Sequence, residues 1–184
     1  MSPRAKLLAI AALFLAPIAA SIVAYNLVSP QPTANHGELL LPPKAITPQP
    51  FGAVPSGRFE FAALRGKWVM VASDSGACPP SCRAKLLAMR QVRLALGRDA
   101  ERVARVFVVD DLQAPAAQAL AGFEGTAVAL TPPGMSLPPG AANDRAHVYL
   151  VDPRGNVMMR WALDTPSKHL LADLKRLLKA SQIG

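Results

Sequence analysis

Lys67-Trp68-Val69-Met70-Val71-Ala72-Ser73, followed by Asp74-Ser75-Gly76-Ala77-Cys78-Pro79-Pro80-Ser81-Cys82, is the stretch that decides how this chain folds. The first seven residues form an apolar run rich in Val with one Trp, the pattern of a strand buried on both faces. The Asp, Ser, Gly and Pro that follow break the chain into a loop. Ser81 then has the position and chemistry to cap a helix running to about Leu96 and closed by Gly97. On that helix Cys82, Leu86, Met89 and Leu96 share an apolar side. Both cysteines therefore fall where a buried strand hands over to a helix N-terminus. The unpaired N–H groups and the helix dipole favour a thiolate there, and Arg83 and Lys85 add positive charge nearby.

Working outward, Val103–Val109 is a second buried strand ending at Asp110-Asp111. A helix is expected from about Pro115 to Ala121, a strand or turn at Thr126–Leu130, and a Pro/Gly loop at 131–142. His147–Val151 reads as a strand, Asp152-Pro153-Arg154-Gly155-Asn156 as a turn with Pro at its second position, and Val157–Leu163 as the antiparallel return. Ser167–Ser181 is an amphipathic helix with Leu170, Leu171, Leu174, Leu177 and Leu178 on one side. Before all of these, Arg58–Phe61 alternates as a short strand. The order is strand, helix, strand, helix, hairpin, helix. It predicts an α/β domain of thioredoxin-like arrangement, a central mixed sheet flanked by helices, with a right-handed crossover between the first parallel pair.

The N-terminal part has a different composition. Residues 7–28 carry no charge, and a helix of that length crosses the ~30 Å hydrocarbon core of a bilayer. Arg4 and Lys6 precede the run, and the next Lys or Arg is Lys44. The positive-inside rule puts residues 1–6 in the cytoplasm and everything after Val28 across the membrane. The alternative is a cleaved signal peptide, whose apolar region is shorter. Residues 29–57 hold seven prolines and read as an extended spacer, against which Glu38-Leu39-Leu40-Leu41 packs back on the domain. The expected organisation is thus a cytoplasmic N-terminus 1–6, a transmembrane anchor 7–28, a Pro-rich spacer 29–57 and a thioredoxin-like domain 58–184. In a bacterial cell this places a single-pass protein in the inner membrane with its C-terminal domain in the periplasm, where thiols form disulfides.

Two cysteines in 184 residues exclude a disulfide-dense fold, and also zinc or iron–sulfur sites built from four thiolates. Aromatic residues make up only 5% of the chain, which argues against a nucleic-acid stacking platform, and an exported domain meets no DNA. No phosphate-binding loop, zinc-protease helix motif or nucleophile elbow is present. The chemistry is left to Cys78 and Cys82. Three intervening residues widen the usual two-residue redox loop and let both sulfurs converge on one soft metal, while a disulfide remains compatible with the spacing. Three readings stay open: a metal site, a metal-free thiol–disulfide oxidoreductase in which Cys78 attacks and Cys82 resolves, and a scaffold whose disulfide is only structural.

The anchor, the Lys67-Trp68-Val69 strand, the C-x3-C pair and Tyr149-Leu150-Val151-Asp152-Pro153-Arg154-Gly155 together resemble the Sco/SenC family of thioredoxin-like copper proteins, over most of residues 58–184. The resemblance implies copper bound by Cys78, Cys82 and a distant histidine, and a role in assembling the copper site of cytochrome c oxidase by delivering copper or reducing its cysteines. His147 is the candidate third ligand; Asp144 stands near the position the family's histidine occupies. The other reading of His147 is a half-buried strand histidine with a hydrogen-bond partner. His36 and His169 are expected in solvent and Met158-Met159 in the core.

The net charge is +8, with seven Lys or Arg between Arg83 and Arg105 and four more in the last helix at Lys168, Lys175, Arg176 and Lys179. A solvated face is one reading. The other is docking on an acidic exported partner, which the resemblance identifies with the copper-site subunit of cytochrome c oxidase, or on anionic headgroups. A reporter active only outside the cytoplasm, fused after residue 60, is expected to be active; activity of a cytoplasm-specific reporter at that position would overturn the topology.

Overall fold

The structure is a computed structural model and describes residues 2–27, 35–46, 48–111, 113–132 and 144–181. The expected loop at 131–142 lies mostly outside these residues. Two compact units are present, residues 1–35 and residues 36–184. The first contains α1 (Pro3–Leu27). Its Pro3–Ala24 segment has a mean hydropathy of 2.5, which makes it a candidate membrane span.

The second unit is one eight-stranded mixed sheet. Its strands are β1 (Glu38–Ala45), β2 (Phe51–Ala53), β3 (Arg58–Phe59), β4 (Trp68–Asp74), β5 (Val103–Val109), β6 (Thr126–Leu130), β7 (His147–Val151) and β8 (Asn156–Ala162), in the spatial order β1-β8-β7-β4-β5-β6-β2-β3. The helices are α2 (Pro80–Ala95), the four-residue α3 (Ala117–Leu120) and α4 (Ser167–Ala180). β4 runs parallel to β5 and antiparallel to β7, and β5 runs parallel to β6. This is the thioredoxin-like arrangement expected from the element order. Every residue of β4 is buried, as its unbroken apolar run requires.

Side-chain alternation divides the core in two. Met70, Ala72, Phe107, Val148 and Leu150 face the side covered by α2 and α4, where Leu86, Met89, Leu170, Leu174 and Leu178 meet them. Each such buried Leu contributes about 1.5–3 kcal/mol relative to exposure. Val69, Val71, Val106, Val108, Tyr149 and Val151 face the other way, onto Phe51 and the partly buried Phe59 and Phe61. Those three rings pack edge-to-face.

The segment read as spacer differs from expectation. Glu38–Ala45 and Phe51–Ala53 are strands of the sheet, and only its earlier part precedes the domain. Prolines are compatible with this because β1 is an edge strand. Its pairing with β8 shifts register between Leu39 and Lys44, the interval that holds Pro42 and Pro43. Seven prolines mask the strand signal that Leu39-Leu40-Leu41 carries. Two other boundaries move. Phe61 opens a 3₁₀ turn (Phe61–Leu64) instead of extending β3. α2 begins at Pro80 with Pro79 at its cap and no side-chain cap bond, so Ser81 lies inside the first turn.

The start of β1 is held by a carboxylate at the bottom of α4. Asp173 is fully buried and accepts hydrogen bonds from His36 N (3.0 Å), Gly37 N (2.8 Å) and Trp161 Nε1 (2.9 Å). No side chain fits at Gly37, because a Cβ there would collide with the Trp161 indole. His36 and His169, expected in solvent, stack with ring centroids 3.9 Å apart above this joint. Asp173→Ala would strand three donors, and unfolding in denaturant should show a loss of about 3 kcal/mol; a loss under about 0.5 kcal/mol would show that water replaces the carboxylate without cost.

Candidate functional site

β4 ends at Asp74, and six residues later the chain must already be helical. Gly76 makes the turn fit: a Cβ on it would overlap the main-chain carbonyl of Gln113. Its N–H donates to Asp111 Oδ1 at 3.1 Å, as does that of Gln113. The Asp111 carboxyl is held below its usual range, first by the Ser75 hydroxyl and then by those amides. Cys78 follows with φ +43°, a left-handed conformation that a non-glycine residue adopts at a cost of about 1–2 kcal/mol. Its N–H donates to Ser75 O at 3.0 Å, which locks the turn.

This geometry brings Cys78 and Cys82 together as a disulfide, with Cα atoms 5.1 Å apart. Cys78 precedes the helix cap and Cys82 sits in the first turn. Pro79 and Pro80 have no N–H, so the outward amides of that turn belong to Ser81 and Cys82, beside the sulfurs. Both residues are buried, but unequally: Cys78 retains 6% of its surface and Cys82 only 1%. Pro80 and Ala77 beside them are exposed.

Beneath the disulfide lies a charge cluster that a reading for motifs passes over. Lys85 is 1% exposed, and its charge faces inward instead of toward the sulfurs as the sequence suggested. Its Nζ sits 2.8 Å from Asp74 Oδ2 and donates to Ser73 O (2.6 Å) and Arg145 O (2.8 Å). One ion pair and two hydrogen bonds thus compensate the buried ammonium. Arg145 forms a forked pair with Asp110 at 3.0 and 2.6 Å, and Asp110 also accepts from Ser73 Oγ. The helical signal was present, since Lys85 lies three residues after Cys82 and one before Leu86, on the inner face. The burial of Asp74 was the missing half.

His147 opens β7. It shares strand parity with Tyr149 and Val151, which face the Phe51 side of the sheet, whereas the cysteines lie on the α2 side. Its Nδ1 is 2.6 Å from Asp144 Oδ2, and the same oxygen accepts from Tyr149 OH at 2.7 Å. Burial opposes ionisation of Asp144, but the Tyr149 hydroxyl, the Ala146 N–H and His147 outweigh it and hold the carboxyl below its usual range. Burial, with the bond to Asp144, pushes the Tyr149 phenol up to about 12. Among the described residues, no three His, Cys, Asp or Glu side chains are grouped to hold a metal ion. His36 and His169 lie at the β1–α4 joint, Met159 is fully buried and Met158 packs against the core.

Comparison with known proteins agrees with this fold. A family model described as a transmembrane-like, thioredoxin-like, C-terminal domain matches residues 68–181. No curated protein matches the chain. Solved structures similar to it include Sco-family proteins. Apo Sco1 from Thermus thermophilus superposes with a TM-score of 0.61 at 20% identity, covering 80% of this chain and 99% of its own. ScoI from Bradyrhizobium japonicum with copper bound gives 0.57 at 21%, covering 72% and 98%. BsSco, studied for a disulfide switch and described as a member of the Sco family of cytochrome c oxidase assembly proteins, gives 0.55 at 14%, covering 72% and 92%.

Lys85→Met would take from buried Asp74 its nearest counter-charge, leaving only the longer contact to Arg145 Nε at 3.9 Å. It should destabilise the domain by about 3–5 kcal/mol, and adding Asp74→Leu should recover most of that loss in urea titrations. If the single variant loses less than about 1 kcal/mol, water reaches the pair and it is not a buried one.

Proposed function

The chain belongs to the transmembrane-like, thioredoxin-like family, and on that premise we propose that it is a membrane-tethered assembly factor for cytochrome c oxidase that works by thiol–disulfide exchange. Its substrate is the cysteine pair of the oxidase copper site, which must be reduced before copper enters. The observation that carries this reading is the Cys78–Cys82 disulfide at the mouth of α2, with Cys78 the slightly more exposed residue. The tether is residues 7–28, and the domain acts in the periplasm.

In the reduced protein the Cys78 thiolate attacks one sulfur of the partner's disulfide. A mixed disulfide forms, the partner's S–S bond breaks and its second sulfur leaves as a thiolate. Cys82 then attacks Cys78 Sγ, closing the intramolecular disulfide and releasing the second partner thiolate. Two electrons pass from this dithiol to the partner, and a periplasmic dithiol reductant regenerates the pair. The outward amides of Ser81 and Cys82 stabilise the thiolate during each exchange. BsSco is connected in name both with a disulfide switch and with oxidase assembly, which supports this chemistry on this fold.

Copper delivery is the second reading, with Cu(I) as cargo. The bound copper of the Bradyrhizobium japonicum ScoI structure favours it. Two thiolates suit Cu(I). The Cys78–Cys82 disulfide and the hydrogen bond of His147 to Asp144 favour exchange as the first reading.

For the full chain in detergent, the Cys78–Cys82 couple is expected between about −270 and −120 mV, the span of exchange-active pairs. Cys82→Ser should trap a mixed disulfide with the oxidised copper-site subunit, and Cys78→Ser should not. A potential below about −300 mV with no exchange would reduce the bridge to a structural one. In anaerobic Cu(I) titration, His147→Ala should leave affinity unchanged. A loss of at least about tenfold would make the histidine a ligand and favour delivery.

A further inference from the structure

An apolar groove of about 610 Å³ runs from α2 past α3 to β6. Leu86, Pro115, Leu120, Phe123 and Val128 line it. Among the described residues, the four-residue α3 and residues of β6 form one side of it. The groove adjoins the cysteine loop on two sides. Leu86 is one helical turn after Cys82 on the same buried face. Pro115 follows Gln113, whose carbonyl packs against Gly76, two residues before Cys78.

Its charges are mostly positive, with one exposed carboxylate, Glu124, in the lining near Arg90. α2 contains Arg83, Lys85, Arg90 and Arg93 and no acidic residue. Lys85 is neutralised internally by Asp74. Arg83 and Arg90 are exposed, and the Arg83 guanidinium lies 5.6 Å above the Phe123 ring, at the groove wall. Beneath α2, Arg105 is 4% exposed, and its Nη2 donates to a main-chain carbonyl, Glu124 O, at 2.6 Å instead of to a carboxylate. Glu124 is the acidic residue lining the groove, and its carboxylate is turned onto the Gly122 N–H. The positive N-terminal end of α2 adds to this field.

We propose that this groove docks an extended segment of the thiol-bearing partner, with apolar side chains in the groove and acidic residues on Arg83 and Arg90, so that the adjoining cysteine is presented to Cys78. The proposal names the recognition surface of the exchange reaction and rests on that reading for its purpose. Apolar burial supplies affinity and the arginines supply orientation and selectivity. The volume suits a few side chains of a peptide and is too small for a folded surface.

The test uses the full chain in detergent micelles and a labelled short peptide of leucines, valines and glutamates, with serine in place of cysteine, followed by fluorescence anisotropy. A peptide with lysines in place of the glutamates is the comparator. The acidic peptide should bind about tenfold more tightly at low ionic strength. Arg83→Glu, on the surface, should invert that order. Leu120→Glu should abolish binding of both, with circular dichroism confirming the fold. Equal affinities, or binding indifferent to Arg83→Glu, would overturn the proposal. So would a concentration-dependent dimer that Leu120→Glu abolishes, which assigns the groove to a second copy. Binding to phosphatidylglycerol vesicles lost in the same variant, without peptide binding, assigns it to lipid and also overturns it. The probe has no thiol, so its result is independent of exchange. Failure of Cys78 to react with glutathione disulfide would remove the exchange reading while leaving the docking result to stand or fall alone.

Discussion

The Lys85 ammonium ties the domain together at the point where chemistry is placed. An isolated charge in the interior is prohibitive, so a buried lysine dictates where its acceptors must be. Here they come from the end of β4, through Asp74 and Ser73 O, and from the turn before β7, through Arg145 O. One side chain of α2 thereby fixes the helix to the strand ends, and with it the level at which Cys78 and Cys82 emerge. The forked Arg145–Asp110 pair extends the same constraint to the end of β5. Apolar packing under α2 supplies most of the stability. The polar cluster selects one register of helix against sheet.

That register has a consequence for the sulfurs. A strand-to-helix turn of this tightness works only with Gly76 against the Gln113 carbonyl and with Cys78 in a left-handed conformation. The resulting disulfide stands over a helix end whose free amides are the two nearest the sulfurs. Both cysteines are buried, Cys78 slightly less than Cys82.

Strand residues alternate between faces, and His147 shares strand parity with Tyr149 and Val151. Asp144 and Tyr149 occupy His147 in a polar network of their own. The fold is shared with Sco proteins, and fold alone does not carry a ligand set.

Sequence by itself determined the layered α/β order, the buried strands β4 and β5, the junction that carries Cys78 and Cys82 and the apolar N-terminal helix. Each of these is written in local periodicity or in a run of one residue class, and local signals survive without knowledge of partners. Tertiary structure alone decided that a proline-rich stretch supplies edge strands, because the pairing that makes β1 a strand comes from β8, over a hundred residues away. It alone decided that Lys85 turns inward, since the reward for doing so is Asp74, and that His36 meets His169 at the β1–α4 joint. The face on which His147 falls was settled by where β7 begins its pairing. A one-residue change in that register would reverse the face, and no composition or spacing fixes a register to one residue.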